Sequence, residues 1–453
     1  MDRNRSMLCF TIAANPAIAL IATFMLASSC LAYGQQQTSP ASQLPAQSKF
    51  GCRYPANPHR RPQECNDAVF GLDETLAGEW DPIRRAAQRI GLTPTASYVG
   101  VIQTNVTGGQ HQVWSYAGQL SIGVSADLKE LIKAPGLTAY VGISWGTGSN
   151  LASSLDSAIP TTGLYAPSFY LGEMYLQQQF LRQKMTVLAG RLAAANGFAT
   201  LPVFADYVNY GIDPNPFSLG ANDVTFFGPP TGTEWGAQAS YAFTPSIRAT
   251  AGAFNTNVNS ANGDNHGTDF SLQEGNKGVL VIGEIDYLHN QAASSTGKPG
   301  QLTAGYLHSN NFFPLLTCSA DQSEGYSGAY VMGQQMVFRP DGPGTSQGAT
   351  VWGSWAHNFK DLISPIPLFW GAGLSYEGLI AARKNDVVSA GLIRTEASKY
   401  APPTNTEELL ELNYQWNHSH FLTITPHAEY LWKQESRDGR NATVLGIQLS
   451  ITL

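Results

Sequence analysis

Charge is scarce in this sequence. Asp, Glu, Lys and Arg make up 13% of its 453 residues, against about 25% in ordinary soluble domains. Basic blocks are missing and the formal net charge is −7, which excludes a nucleic-acid partner on electrostatic grounds. Long apolar runs are missing too. Beyond residue 32 there is no stretch of ~18 uninterrupted apolar residues, so helical membrane spans are excluded. Neither a metal nor a cofactor is expected. The chain does hold 45 glycines and 11% aromatics, with near-neutral mean hydropathy. Low charge, abundant Gly and aromatics, and a neutral average fit a membrane β-barrel, in which apolar and polar residues alternate and cancel.

The first 32 residues read as a signal peptide. Arg3 and Arg5 supply a positive start, Ala17 to Ala27 an apolar stretch, and Ser28, Ser29 and Ala32 the small residues before a cleavage site. Cys30 raises a lipoprotein alternative, but Ala27-Ser28-Ser29-Cys30 lacks the usual Leu three places before the Cys. Residues 33–75 read as a flexible, Gln/Ser/Pro-rich periplasmic leader. Within it, Cys52 and Cys65 either close a small disulfide loop in the oxidising periplasm or stay unpaired. Cys318 is then left as a free loop thiol. An amphipathic helix is expected over 76–92: Trp80, Ile83, Ala87 and Ile90 fall at helical spacing opposite Arg84, Arg85 and Arg89. Asp81 caps it, Pro82 opens it and Gly91 ends it.

From residue 93 to 453 the dominant period is two. In the last segment Thr443, Leu445, Ile447, Leu449, Ile451 and Leu453 share one face, and Val444, Gly446, Gln448, Ser450 and Thr452 the other. Leu410, Leu412, Tyr414 and Trp416 alternate with Glu411, Asn413 and Gln415. Leu422, Ile424, Ala428, Tyr430 and Trp432 alternate with Thr423, Thr425, His427 and Glu429. Aromatics sit toward strand ends, where an interfacial girdle needs them. The pattern predicts strands near 95–104, 116–128, 137–145, 169–182, 184–191, 233–243, 246–254, 279–289, 300–308, 325–338, 348–358, 367–377, 386–395, 406–417, 420–430 and 441–453. The expected fold is all-β: a transmembrane antiparallel barrel of about sixteen strands behind a short N-terminal periplasmic helix. A soluble β-sandwich also alternates, but so many strands with polar faces and so few charges favour a barrel with a wet interior. The expected place of such a barrel is the bacterial outer membrane.

Several stretches resemble the carbohydrate-selective porins of the OprB type. Leu76-Ala77-Gly78-Glu79-Trp80-Asp81-Pro82-Ile83-Arg84 resembles that family's G-D-W-G-G-L-R helix entrance, departing at Asp81-Pro82. Gly91-Leu92-Thr93-Pro94 to Gly109 resembles its first strand and N-x-x-G-G loop. Gly118 to Trp145, with Asp127-Leu128-Lys129-Glu130-Leu131, resembles the second and third strands. Gly172-Glu173-Met174-Tyr175-Leu176-Gln177-Gln178 through Gly190-Arg191-Leu192-Ala193 resembles the fourth and fifth, with Arg191 where the family often has Gln. Ala442 to Leu453 resembles the closing strand but ends in Leu instead of Phe. The resemblance covers about residues 70–453. It implies a sixteen-stranded channel that admits glucose and similar sugars down a gradient, without catalysis.

Selection in such a channel rests on the narrowest point and its polar groups. The longest connection, 192–232, is the expected constriction. Phe198, Phe204, Tyr207, Tyr210, Phe217, Phe226 and Phe227 offer faces for sugar C–H surfaces, or merely pack the loop against the wall. Asn196, Asp206, Asn209 and Asp213 offer hydrogen bonds to hydroxyls. Strand parity turns Glu173, Gln177, Gln179, Glu284, Asp286, Glu411, Asn413, His427 and Glu429 inward. Arg191, Arg248 and Arg394 are the cations expected to face these carboxylates, Arg191 toward Glu173 in particular, with the fifth strand ending or bulging before it. Small carbohydrates and outer-membrane lipid are the expected partners, and the chain is either a monomer or a homotrimer. A structural or adhesive barrel is the alternative. A barrel enzyme built on His427, Glu429 and Ser450 is another.

Overall fold

The computed structural model describes residues 86–453 except 150, 165–168, 223–231, 258–265, 271–275, 292–294, 318–320, 341, 343–344, 401–405, 420, 435–439 and 453. The expected signal peptide, leader, Cys52–Cys65 loop, Cys318 and all of the helix before residue 86 lie outside these residues. Residues 86–89 are helical, and Gly91 follows at φ +82°, a left-handed conformation that suits glycine.

Sixteen strands follow. They are β1 (Leu92–Thr107), β2 (Trp114–Asp127), β3 (Leu137–Gly148), β4 (Phe169–Phe180), β5 (Met185–Leu192), β6 (Glu234–Thr244), β7 (Ile247–Asn257) and β8 (Asn276–His289). The second half holds β9 (Gly300–Pro314), β10 (Gln322–Phe338), β11 (Gly348–Asn358), β12 (Leu368–Glu377), β13 (Val387–Glu396), β14 (Thr406–Asn417), β15 (Leu422–Gln434) and β16 (Ala442–Thr452). Each pairs antiparallel with its sequence neighbours, and β1 closes on β16 in a register running from Ser97↔Thr452 to Thr107↔Thr443. Closure gives every strand two partners, so the wall presents no backbone edge to hydrocarbon.

The period-two pattern sorts as expected. On β16, Leu445 and Ile447 are exposed on the outer face, where the bilayer belongs, while Val444 is buried inside. Glu411, Asn413 and Gln415 of β14 are buried in the lumen, and Leu412 and Trp416 stand outside. A bulge interrupts this alternation on the fourth strand. Between β3 and β4 the register shifts from Val141↔Met174 to Ile143↔Leu171. The extra residue lets both Tyr170 and Glu173 turn inward.

Turns at one end of the barrel are tight, such as the 3-10 turn Leu181–Gln183 and the step from Thr244 to Ile247. At the other end are long connections: loop 2 (149–168), loop 3 (193–233) and loop 4 (258–275). Outer-membrane barrels put short turns in the periplasm and long loops outside. Loops 2 and 3 are folded into the barrel. Leu151, Leu155 and Ile159 of loop 2 join Phe198, Leu201, Phe204, Tyr207, Ile212 and Phe217 of loop 3 in one buried cluster with wall residues Tyr330, Trp352, Phe369 and Ile393. Two glycines permit the close approach. A Cβ on Gly391 would lie 2.7 Å from the Tyr207 ring, and one on Gly211 would lie 2.3 Å from Ile393.

Candidate functional site

Loop 3 starts where β5 stops at Leu192. Its local structure follows from its sequence: a short turn of helix over Ala194–Gly197, a 3-10 turn Pro202–Asp206 opened by proline, and a helical turn Phe217–Asn222. No Lys or Arg occurs from 192 to 222. Its backbone N–H groups find partners on the wall. Glu173 of β4 accepts from Ala193 N (3.1 Å) and Asn196 Nδ2 (3.0 Å). Glu284 of β8 accepts from Ala199 N (2.7 Å) and Tyr330 Oη (2.6 Å). Gln334 of β10 accepts from Val203 N (2.9 Å). Glu411 of β14 accepts from Val208 N (2.8 Å), Asn209 N (2.9 Å) and Asn413 Nδ2 (2.7 Å). Asn209 Nδ2 then reaches Glu429 of β15 at 3.0 Å. Loop 3 therefore travels round the inside of the wall from β4 to β15. It is tied to itself by Asn215, whose Nδ2 donates to Ala195, Phe198 and Ala199 carbonyls.

The loop aromatics pack. Phe198 is fully buried, edge-on to Phe254 at 6.1 Å. Tyr207 packs edge-on to Trp352 at 5.6 Å, and Trp352 Nε1 donates to its hydroxyl at 2.8 Å. That hydroxyl lies 3.1 Å from Leu374 O and 3.0 Å from Ala390 O, on β12 and β13. Burial pushes the Tyr207 phenol pKa up, which keeps it a neutral donor. Asp206 accepts from Ser375 Oγ (2.6 Å) and, through its carbonyl, from Asn413 Nδ2 (2.9 Å). Phe226 and Phe227 lie outside the described residues.

Of the three expected cations, one meets lumen carboxylates. Arg248 Nη2 pairs with Asp286 at 2.8 Å, and Thr303 Oγ1 donates to the same carboxylate at 2.7 Å. Arg394 is a correction: it stands on the outer face and pairs with Glu408 (2.6 Å) and Glu396 (3.4 Å). On β13 the inward residues are Ile393 and Thr395, so parity alone turns Arg394 out. Arg191 is the second correction. The strand neither ends nor bulges before it, since Arg191 pairs in register with both Met174 and Trp235. Its guanidinium is directed away from Glu173. It donates to the carbonyls of Gly267, Asp269 (3.2 Å) and Thr233 (3.2 Å) and sits 5.7 Å over the Phe270 ring. Physically, β5 leaves the wall early to become loop 3. Loop 4 fills the vacated place, with Leu171 N donating to His266 O (2.8 Å). Arg191 ties that segment down.

His427 and Glu429 are buried on the inner face, His427 Nε2 3.9 Å from Glu429 Oε1. Gln103 Nε2 donates to His427 Nε2 (2.9 Å), and Thr161 Oγ1 of loop 2 donates to Gln103 Oε1 (2.7 Å). Ser450 pairs across the strand with Thr423, while His427 pairs with Gly446. The serine is thus not set against the histidine as a hydrolase would need. Gln177 is buried, and its Oε1 has no hydrogen-bond partner among the described residues.

The infolding of loop 2 has no counterpart in the strand pattern. Its anchor is Glu407 of β14, which accepts from Ser157 Oγ (2.7 Å), Ala158 N (3.1 Å) and Ile159 N (3.3 Å). The sequence signal for it is the set of spaced apolar residues Leu151, Leu155, Ile159 and Leu164 in a segment that otherwise resembles an external loop.

The family profile described as "Carbohydrate-selective porin, OprB family" matches residues 111–453. The chain is 21% identical over 420 residues to Porin B of Pseudomonas aeruginosa, covering 83% of this chain and 90% of that protein. It is 22% identical over 433 residues to the putative porin QuiX of Acinetobacter baylyi, covering 85% and 97%. Among solved structures, the high-pH structure of Pseudomonas putida OprB superposes with a TM-score of 0.73 at 19% identity, covering 83% of this chain and 97% of that one. The low-pH structure of the same protein gives 0.55, covering 83% and 98%.

Proposed function

Since the chain belongs to the OprB family of carbohydrate-selective porins and is an outer-membrane protein, we propose that it lets glucose-like sugars diffuse passively into the periplasm. Loop 3 is the filter. The observation that carries this reading is the path of the loop, which runs round the inside of the wall from β4 to β15 on polar contacts. A pore narrowed in this way selects by width and by the donors and acceptors that replace a solute's water. Neutral polyols lose little on entry, because each hydroxyl both donates and accepts. The part-exposed lumen residues Asp206 and Arg248 are the proposed contacts. Family and fold point to a channel rather than an enzyme.

Liposome swelling tests the proposal. Vesicles carrying the protein should swell in glucose and more slowly in maltose, with saturable block by glucose in planar bilayers. A barrel that conducts neither ions nor sugars would be the structural or adhesive alternative, and the proposal would fall.

A further inference from the structure

We infer that Glu173, Glu284 and Glu411 are positioning residues that fix the width of the eyelet by tethering loop 3, and that solute does not touch them. The inference rests on loop 3 being the filter. Three observations carry it. First, the tethers follow one another in order along both chain segments: Ala193, Ala199 and Val208–Asn209 of the loop meet β4, β8 and β14 of the wall, with Gln334 of β10 holding Val203 between them. A set of unrelated lumen acids has no reason to run in step with the loop. Second, the carboxylates are engaged: Glu284 Oε2 takes both Ala199 N and Tyr330 Oη. Glu411 Oε1 takes Val208 N and Asn413 Nδ2, and Oε2 takes Asn209 N; Glu173 divides its two oxygens between Ala193 N and Asn196 Nδ2. Third, all three residues are buried, Glu411 completely. A loop with no Lys or Arg from 192 to 222 offers only N–H dipoles there. A carboxylate makes a stronger, charge-assisted bond to such donors than an amide does, which explains acids at these three places.

The test separates holding from contact. Glu411→Ala and Glu284→Ala should each abolish discrimination between glucose and maltose in liposome swelling, in protein that keeps its folded mobility on unheated gels. Next, Val208→Cys and Glu411→Cys are combined in a background with all five native cysteines replaced by Ser. Bridging the pair with a short bis-methanethiosulfonate should restore discrimination with no carboxylate present, and dithiothreitol should abolish it again. If the bridged protein still passes maltose freely, or if Glu411→Ala and Glu284→Ala leave discrimination unchanged, the assignment is overturned. Deleting residues 200–225 distinguishes a failure of the tethers from a failure of the filter. A deletion that changes nothing sinks loop 3 as the filter, whereas a deletion that widens the pore beside silent Glu variants sinks the tethers alone.

Discussion

Leu449 and Gln448 are neighbours in β16 with opposite surroundings. Parity turns Leu449 to the bilayer and Gln448 to the lumen, where Gln448 faces Val101 and Thr425 in register. Leu449→Arg should cost about 2–4 kcal/mol if near the midplane, read by urea unfolding in detergent or lipid. Gln448→Arg should fold normally and change conductance. The reverse outcome would invert inside and outside. Asp286 tests the Arg248–Asp286 ion pair on the inner face. With Arg248 part-exposed beside it, Asp286→Asn leaves that cation uncompensated. Reversal potentials in a salt gradient should then move toward anion selectivity. Gly391 tests fit: a valine there must displace the Tyr207 ring or Ile212. Gly391→Val should therefore push loop 3 off the wall and raise conductance noise, while a Gly391→Ala variant gives a smaller effect of the same sign.

Among the elements, the two infolded loops differ in their moorings. Loop 3 is held at many points, loop 2 mainly by Glu407 and the Gln103–Thr161 pair. Glu407→Ala strands the N–H of Ala158, a loss of about 1–3 kcal/mol if it stays buried, and leaves Ile159 N only its bond to Ser157 Oγ. Loop 2 should respond by leaving the lumen, seen as protease cleavage near Ser157 in intact cells. Loop 4 has a different task. Because β5 departs at Leu192, the wall is completed there by residues 266–270, and a guanidinium spans three carbonyls to keep them in place. Lysine cannot reproduce that fork. Arg191→Lys should thus expose loop 4 to protease almost as much as Arg191→Ala. Equal resistance of all three proteins would show that Arg191 is not the tie.

For the whole molecule, topology is the decisive property. The tight turn at Leu181–Gln183 lies at the opposite end from the β1–β2 connection. A cysteine at Gln183 should be labelled only once the periplasm is opened, and one at Gln112 in intact cells. The strand series, the closure and the inward or outward sense of most strand residues are legible in the sequence, because bilayer and lumen impose opposite chemistries on alternate positions of the same strand. Hence parity alone turns Arg248 and Asp286 to the same face. Other pairings are not legible. Arg191 stands where strand parity turns it outward, and only the arrival of loop 4 in the gap left by β5 gives it carbonyl partners. Loop 2 resembles any exposed connection until the lumen offers it Glu407 and a greasy bed beside loop 3. The wall acids are visible as lumen residues, yet their partners are backbone N–H groups, which every residue but proline carries and which leave no mark in a sequence. A repeating local rule is enough to say what a strand residue faces. Which loop falls into the barrel, and what holds it there, depends on contacts between segments that can lie hundreds of residues apart.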